Sequence, residues 1–176
     1  MISTMFEVPI INLKIDNWQH KKEKLIEVLR LVNSTINQQG TIYTDYFSDQ
    51  QQYSYIKNIE DIFSDEISTI CTLLKQPMYV NNCWFEVAKL NNYHGIHNHG
   101  SVGYSAVCYM QYKKELHSSI RLVSPFYNFL TGDCIDYSPE ISEGSLICFP
   151  SAVLHYTEPN LSDVDRIVVS FNLRAK

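Results

Sequence analysis

His97, Asn98 and His99 stand side by side, and a third histidine, His155, closes the run Glu143-Gly144-Ser145-Leu146-Ile147-Cys148-Phe149-Pro150-Ser151-Ala152-Val153-Leu154-His155. On a strand, side chains alternate faces, so residues 97 and 99 should project the same way. Two imidazoles on one face, met by a third from another strand, make a three-point site for a divalent metal. Such a site leaves positions open for a small molecule and dioxygen. Imidazole suits iron, copper, nickel and zinc, so ligand type alone does not choose the metal. Arg166, eleven residues after His155, would supply a fixed cation for an anionic co-substrate. That set reads as a mononuclear metal oxygenase. His94 is the reserve ligand: strict alternation puts it on the face opposite His97 unless a turn at Gly95 intervenes.

The segment Arg166-Ile167-Val168-Val169-Ser170-Phe171-Asn172 carries a second pattern. Alternation places Ile167, Val169 and Phe171 on one face and Arg166, Val168, Ser170 and Asn172 on the other. An apolar face backed by a charge, a hydroxyl and an amide describes a strand lining a polar cavity. The competing arrangement has Arg166 on a solvated rim, paired with Asp163 or Asp165.

The elements that must hold these groups change character along the chain. Asp16 with Gln19 three residues on marks a helix start, and Leu25, Leu29, Val32 and Ile36 form one stripe. Gly40 closes that segment. Phe63, Ile67, Ile70 and Leu74 repeat the pattern and Pro77 stops it, so helices are predicted from Asp16 to Ile36 and from Asp61 to Leu74. From Met78 the period is two. Strand-like runs cover Tyr79 to Leu90, Tyr104 to Tyr112, Ile120 to Val123, Ser145 to Phe149 and Arg166 to Leu173, separated by turn formers. The fold class predicted is β-rich α+β, a jelly roll with N-terminal supporting helices. It is read as one domain over 1–176, a helical buttress about 16–75 and a jelly-roll core about 78–173.

Composition narrows the setting. A chain of 176 residues with 45% hydrophobic and 19% charged residues is that of an ordinary globular protein. A net charge of −5 argues against nonspecific nucleic-acid binding, and the dense basic run Lys21-Lys22-Glu23-Lys24 suits the solvated face of a helix. No apolar run approaches the ~20 residues of a membrane span, and Met1 to Asp16 shows no signal-peptide pattern. Cys71, Cys83, Cys108, Cys134 and Cys148 are odd in number and lack a Cys-x-x-Cys pair, which points to reduced thiols and a cytoplasmic setting. A homodimer is compatible with the sequence, which does not decide it.

The stretch Asn91 to Met110, with His97-Asn98-His99 followed by Tyr104-Ser105-Ala106-Val107-Cys108-Tyr109-Met110, resembles the small 2-oxoglutarate/Fe(II) oxygenase family. Members show His-x-His and then a Ser-Gly-Val-Tyr-Tyr-Leu-like strand. Gly144 to Asn172 is similar to the family's distal half: glycine, Leu-x-x-Phe-Pro-Ser, histidine, then Arg and Ser-Phe-Asn. The likeness spans roughly residues 78 to 173, and Phe6 to Pro9 and Trp84 share it. It implies a double-stranded β-helix that uses Fe(II), 2-oxoglutarate and dioxygen to hydroxylate a small molecule or peptide, releasing succinate and CO2. His97 and His155 would be metal ligands, with His99 the third. Arg166 would bind the distal carboxylate of 2-oxoglutarate, and Ser170, Tyr104 and Asn172 would complete that pocket. The wider superfamily has an acid at position 99, so His99 leaves one more positive charge on the metal centre.

Two other readings compete. Gly144, five residues, Pro150, Ala152 and His155 come close to the second cupin motif, which suggests a three-histidine dioxygenase. The replaced acid at position 99 also suits a degenerate barrel that binds without catalysis. Substrate contacts would come from the loops Tyr43 to Tyr55, Lys113 to Ser119 and Phe126 to Asp136, with Tyr127, Phe129 and Tyr137 as lid candidates.

Overall fold

The period-two half of the chain forms one long hairpin that folds over on itself. The computed structural model describes residues 7–48 and 54–176. Its last eight strands are β4 (Met78–Ala88), β5 (His94–His97), β6 (Tyr104–Gln111), β7 (Ile120–Tyr127), β8 (Cys134–Tyr137), β9 (Ser145–Pro150), β10 (His155–Thr157) and β11 (Arg166–Ala175). β4 pairs with β11, β5 with β10, β6 with β9 and β7 with β8, all antiparallel. Successive pairs alternate between two sheets. One runs β9-β6-β11-β4 and the other β5-β10-β7-β8. This is the double-stranded β-helix. Three short strands widen the larger sheet: β1 (Ile11–Lys14) beside β9, then β3 (Ile42–Thr44) and β2 (Asn37–Gln39) beyond β4.

β2 and β3 lie inside the span that reads as a helical buttress and β1 just ahead of it, and the helices differ from expectation as well. α1 (Trp18–Val32) starts after Asn17, which is left-handed at φ 52°, and no side chain caps it. A 3-10 turn over Asn33–Thr35 follows, so Ile36 falls outside the helix. Asn, Ser and Thr side chains compete with the helical ladder, and Thr35 Oγ1 donates to the Val32 carbonyl at 2.7 Å. The second predicted helix is two: α2 (Ile56–Ile62) and α3 (Ser64–Leu74). They break at Phe63, where Asp65 and Glu66 supply the acids that favour a fresh N-terminus. α3 ends as the sequence indicates, with Lys75 left-handed and Pro77 beyond it.

The helices bury one face of the large sheet. Leu25, Ile59, Phe63 and Ile70 pack against Phe85, Cys108, Leu146, Val169 and Phe171. The basic run of α1 is partly spent on this docking rather than left to solvent. Lys21 Nζ lies 2.8 Å from Glu66 and Lys22 Nζ 2.6 Å from Glu143. Gly144, at φ 78°, lies so close to the Trp18 ring that a Cβ would press into it. The other face of the large sheet meets the small sheet through Tyr109, Ile120, Leu122, Ile147, Phe149 and Val168. None of the five cysteines forms a disulfide, and Cys83, Cys108 and Cys148 are buried. No helix among the described residues is long and apolar enough to cross a membrane.

Candidate metal centre

His155 opens β10 and sits directly across from His97, the last residue of β5. His99 lies beyond the end of that strand, so strand alternation is not what aims it. A backbone bond does: the His99 N–H donates to the Ser151 carbonyl at 2.9 Å, tying the loop after β5 to the loop before β10. Ser151 is itself fixed. Its N–H binds Gly103, and its hydroxyl lies 3.0 Å from Ser105 Oγ, which donates to Asn172 Oδ1 at 2.7 Å. Gly103, at φ 82°, runs so close to the Leu173 carbonyl that any Cβ would collide with it.

The ligand-type nitrogens of His97, His99 and His155 all lie within 4.8 Å of one another. Ring centroids are 4.2 Å apart for His97 and His155, 5.0 Å for His97 and His99, and 5.1 Å for His99 and His155. Two tautomers follow from backbone partners. Nδ1 of His97 donates to the Gly95 carbonyl at 2.7 Å and Nδ1 of His155 to Val153 at 2.9 Å, leaving each Nε2 with a lone pair for a metal. Burial, and after it the charge of His97, lowers His99 to about 4 and His155 to about 3. Burial also lowers His97. The three rings are thus neutral donors at physiological pH, as metal ligation requires.

His94 departs from simple alternation. His155 faces His97 but Thr157 faces His94, so β5 carries one extra residue between the two pairs. This bulge resets the alternation and brings His94 to the same side as His97. Their rings stack at 3.8 Å with 20° between planes. His94 stands outside the three-nitrogen cluster. Its Nδ1 lies 3.2 Å from Glu86 Oε2, and Glu86 Oε1 accepts the Trp84 indole N–H at 2.8 Å. Burial alone would raise the Glu86 carboxyl, but His94 and these hydrogen bonds bring it down to about 2. Burial works against His94 too, yet the carboxylate raises its imidazole above the ordinary value.

Arg166 opens β11 on the cavity side, 4% exposed. Its guanidinium donates to the Ser118 carbonyl at 3.1 Å and to Thr157 Oγ1 at 2.8 Å. It pairs with neither Asp163 nor Asp165, and no carboxylate among the described residues forms a salt bridge with it. Burial pulls its pKa down, but a guanidinium remains a cation. Arg166, Val168 and Ser170 line one cavity with His97, His99 and His155. Tyr109 lines it as well. Its hydroxyl accepts the Ile120 N–H at 3.1 Å, which leaves its own proton for a guest. Two residues assigned to this pocket by resemblance lie elsewhere. Tyr104 packs with the core on the helix side of the large sheet, and Asn172 belongs to the Ser105–Ser151 network below His99.

Residues 82–172, half of the chain, match a family model described as "Putative 2OG-Fe(II) oxygenase". The chain belongs to the 2OG-Fe(II) oxygenase family. Its fold is that of HygX from Streptomyces hygroscopicus with nickel and 2-oxoglutarate bound, at 10% identity and TM-score 0.67 over 96% of this chain and 83% of that one. It is also similar to the viral collagen prolyl hydroxylase of Paramecium bursaria Chlorella virus-1, at 13% identity and TM-score 0.64 over 95% and 96%. The epimerase SnoN from nogalamycin biosynthesis aligns at 8% identity and TM-score 0.71 over 94% and 77%. At such identities the likeness is one of fold. Among curated proteins no sequence matches the chain.

A second, wider cavity of the oxygenase opens on the other side of the histidines. It measures about 210 Å³, against about 30 Å³ for the inner one, and shares Ile42, Trp84, Glu86, His94, His97 and His99 with it. Tyr46 and Phe47 form its outer wall. They are held there by Asp45, whose carboxylate accepts the Phe85 N–H at 2.8 Å and the Tyr55 hydroxyl at 2.7 Å. The lid candidates Tyr127, Phe129 and Tyr137 are exposed and border neither cavity. Glu86, Tyr109 and Thr157 escaped the sequence reading. Glu86 and Tyr109 do sit at cavity-facing positions of alternating strands, and an acid in so apolar a strand was the available signal.

Proposed function

We propose that the protein is a hydroxylase that oxidises a small-molecule or peptide substrate at an Fe(II) held by His97, His99 and His155, converting 2-oxoglutarate to succinate and CO2. The observation that carries this reading is Arg166, a buried cation with no carboxylate partner among the described residues, in the same cavity as the three imidazoles. A buried charge of this kind is costly unless an anion meets it. The distal carboxylate of 2-oxoglutarate is such an anion, and a guanidinium can hold it through two parallel bonds. Conversion of 2-oxoglutarate to succinate is what separates this reading from a cupin-type three-histidine enzyme.

The donor chemistry fits the metal: three neutral imidazoles, two with backbone-fixed tautomers. Iron in such a site, with 2-oxoglutarate, supplies the activation of dioxygen that places one oxygen atom in the substrate and the other in succinate. The protein's own groups do the positioning. Arg166 is oriented by Thr157 and Ser118, and burial keeps the Tyr109 phenol protonated to donate a further bond. The outer cavity, walled by Tyr46, Phe47 and Trp84, receives the substrate, and its apolar rings keep water from the reacting carbon.

The test is turnover of 2-oxoglutarate by protein loaded with Fe(II) in air, followed as succinate. Substrate-independent turnover is expected in the wild type and should vanish in His155→Ala and Arg166→Ala. Succinate formation equal in wild type and Arg166→Ala would sink the reading.

A further inference from the structure

Three neutral imidazoles bring no negative charge to a divalent ion, and Arg166 adds a buried cation to the same cavity. Some anion must offset that concentration of charge before a co-substrate arrives. Among the residues lining the two cavities, Glu86 is the single carboxylate, and it faces both. It is held by two bonds, the Trp84 indole N–H at 2.8 Å and His94 Nδ1 at 3.2 Å, and the His94 ring lies flat against His97 at 3.8 Å. Trp84 in turn packs on His99 with centroids 5.0 Å apart. The carboxylate is thus fixed behind two of the three ligand rings, outside the ligand set itself.

We propose that Glu86 is the charge-balancing carboxylate of this metal centre, a positioning residue that acts through the field it casts on the site and is held in place by the Trp84 indole and His94. The inference rests on the metal-site reading above. Its consequence has two signs. An anion beside the site strengthens binding of the cation and weakens binding of the dianionic co-substrate that follows it, since both meet the same fixed charge. A residue that only braced the fold would, when altered, weaken both.

Anaerobic calorimetry with nickel(II), which is not oxidised during the experiment, reads the first quantity. Titration of 2-oxoglutarate into the nickel-loaded protein reads the second. Glu86→Gln keeps an acceptor for the Trp84 N–H and removes the charge. Nickel should bind about 10-fold more weakly, in the range of outer-sphere partners of metal ligands, while 2-oxoglutarate binds several-fold more tightly. Glu86→Asp, which keeps the charge, should recover most of the nickel affinity. His94→Phe retains a ring against His97 and frees the carboxylate of its partner, so nickel should bind at least as tightly as in wild type. The proposal is overturned if Glu86→Gln weakens both ligands, if it leaves nickel unchanged, or if His94→Phe loses nickel. Failure of the underlying site looks different: wild type and His155→Ala would then take up nickel alike.

Discussion

On β11, Ile167, Val169 and Phe171 turn toward the helices, while Arg166, Val168 and Ser170 turn into the cavity. The same division runs through β4, where Cys83 and Phe85 oppose Trp84 and Glu86, and through β6, where Ala106 and Cys108 oppose Val107 and Tyr109. One face is a continuous apolar core. The other holds a guanidinium, a carboxylate, a phenol and four imidazoles within one enclosure. The outer face is specified redundantly, because burying apolar area needs no partner of a given kind. The inner face is specified group by group, since each buried polar atom must find a named partner. Stability and chemistry are therefore assigned to opposite sides of the same strands.

The sharpest way to test that division is to damage each face and measure both properties. Phe171→Ala opens a cavity in the helix-side core, where Phe171 is 0% exposed. It should cost about 3–5 kcal/mol in denaturant unfolding, while nickel binding per folded molecule stays at the wild-type value. Loss of nickel by the folded fraction would break the comparison. Arg166→Ala strikes the other face. It should weaken 2-oxoglutarate by roughly 100-fold, the scale of removing one partner of a buried charged contact, with nickel affinity nearly intact. Arg166→Lys should restore only part of this, as an ammonium cannot reproduce the planar fork.

Asn172→Ala lies on the border between the two. It strips the acceptor from the buried Ser105 hydroxyl, a loss of about 1–2 kcal/mol in stability, and loosens the Ser151 carbonyl that holds His99. A few-fold weakening of nickel should accompany it, which isothermal titration can read. Tyr104→Phe is the smallest change. Its ring packs on the helix side, so neither 2-oxoglutarate affinity nor unfolding should move by more than about 0.5 kcal/mol. A marked loss of co-substrate binding there would return Tyr104 to the pocket its family resemblance suggests.

The sequence was most legible where the information is local. Arg166 falls on β11, a long strand with a period of two, whereas His97 and His155 lie on β5 and β10, short strands outside the strand-like runs the sequence shows. Alternation alone sorted Arg166, Val168 and Ser170 onto one face, and the side-chain pattern of α3 marked its end at Leu74. It was least legible near the N-terminus. There β1, β2 and β3 are strands of only three or four residues that exist because the large sheet offers them an edge. Nothing in so short a segment overcomes the ambiguity of its own pattern.

By itself, then, the sequence determined the residue types of the site, the longer strands of the large sheet and the apolar faces those strands bury. Only the tertiary structure decided which of these groups meet. Pairing of β5 with β10 forces the extra residue between His94 and His97, and so turns His94 toward Glu86. A loop-to-loop bond to Ser151, rather than strand periodicity, aims His99 at the other two rings. The bonds to Ser118 and Thr157 fix where the Arg166 charge points, and the parity of β6 sends Tyr109 into the cavity while Tyr104 faces the helices. Alternation is a property of one strand, read from its neighbours in sequence. Register, bulges and loop anchoring are properties of pairs of strands far apart in the chain, and they exist only once the hairpin has folded over.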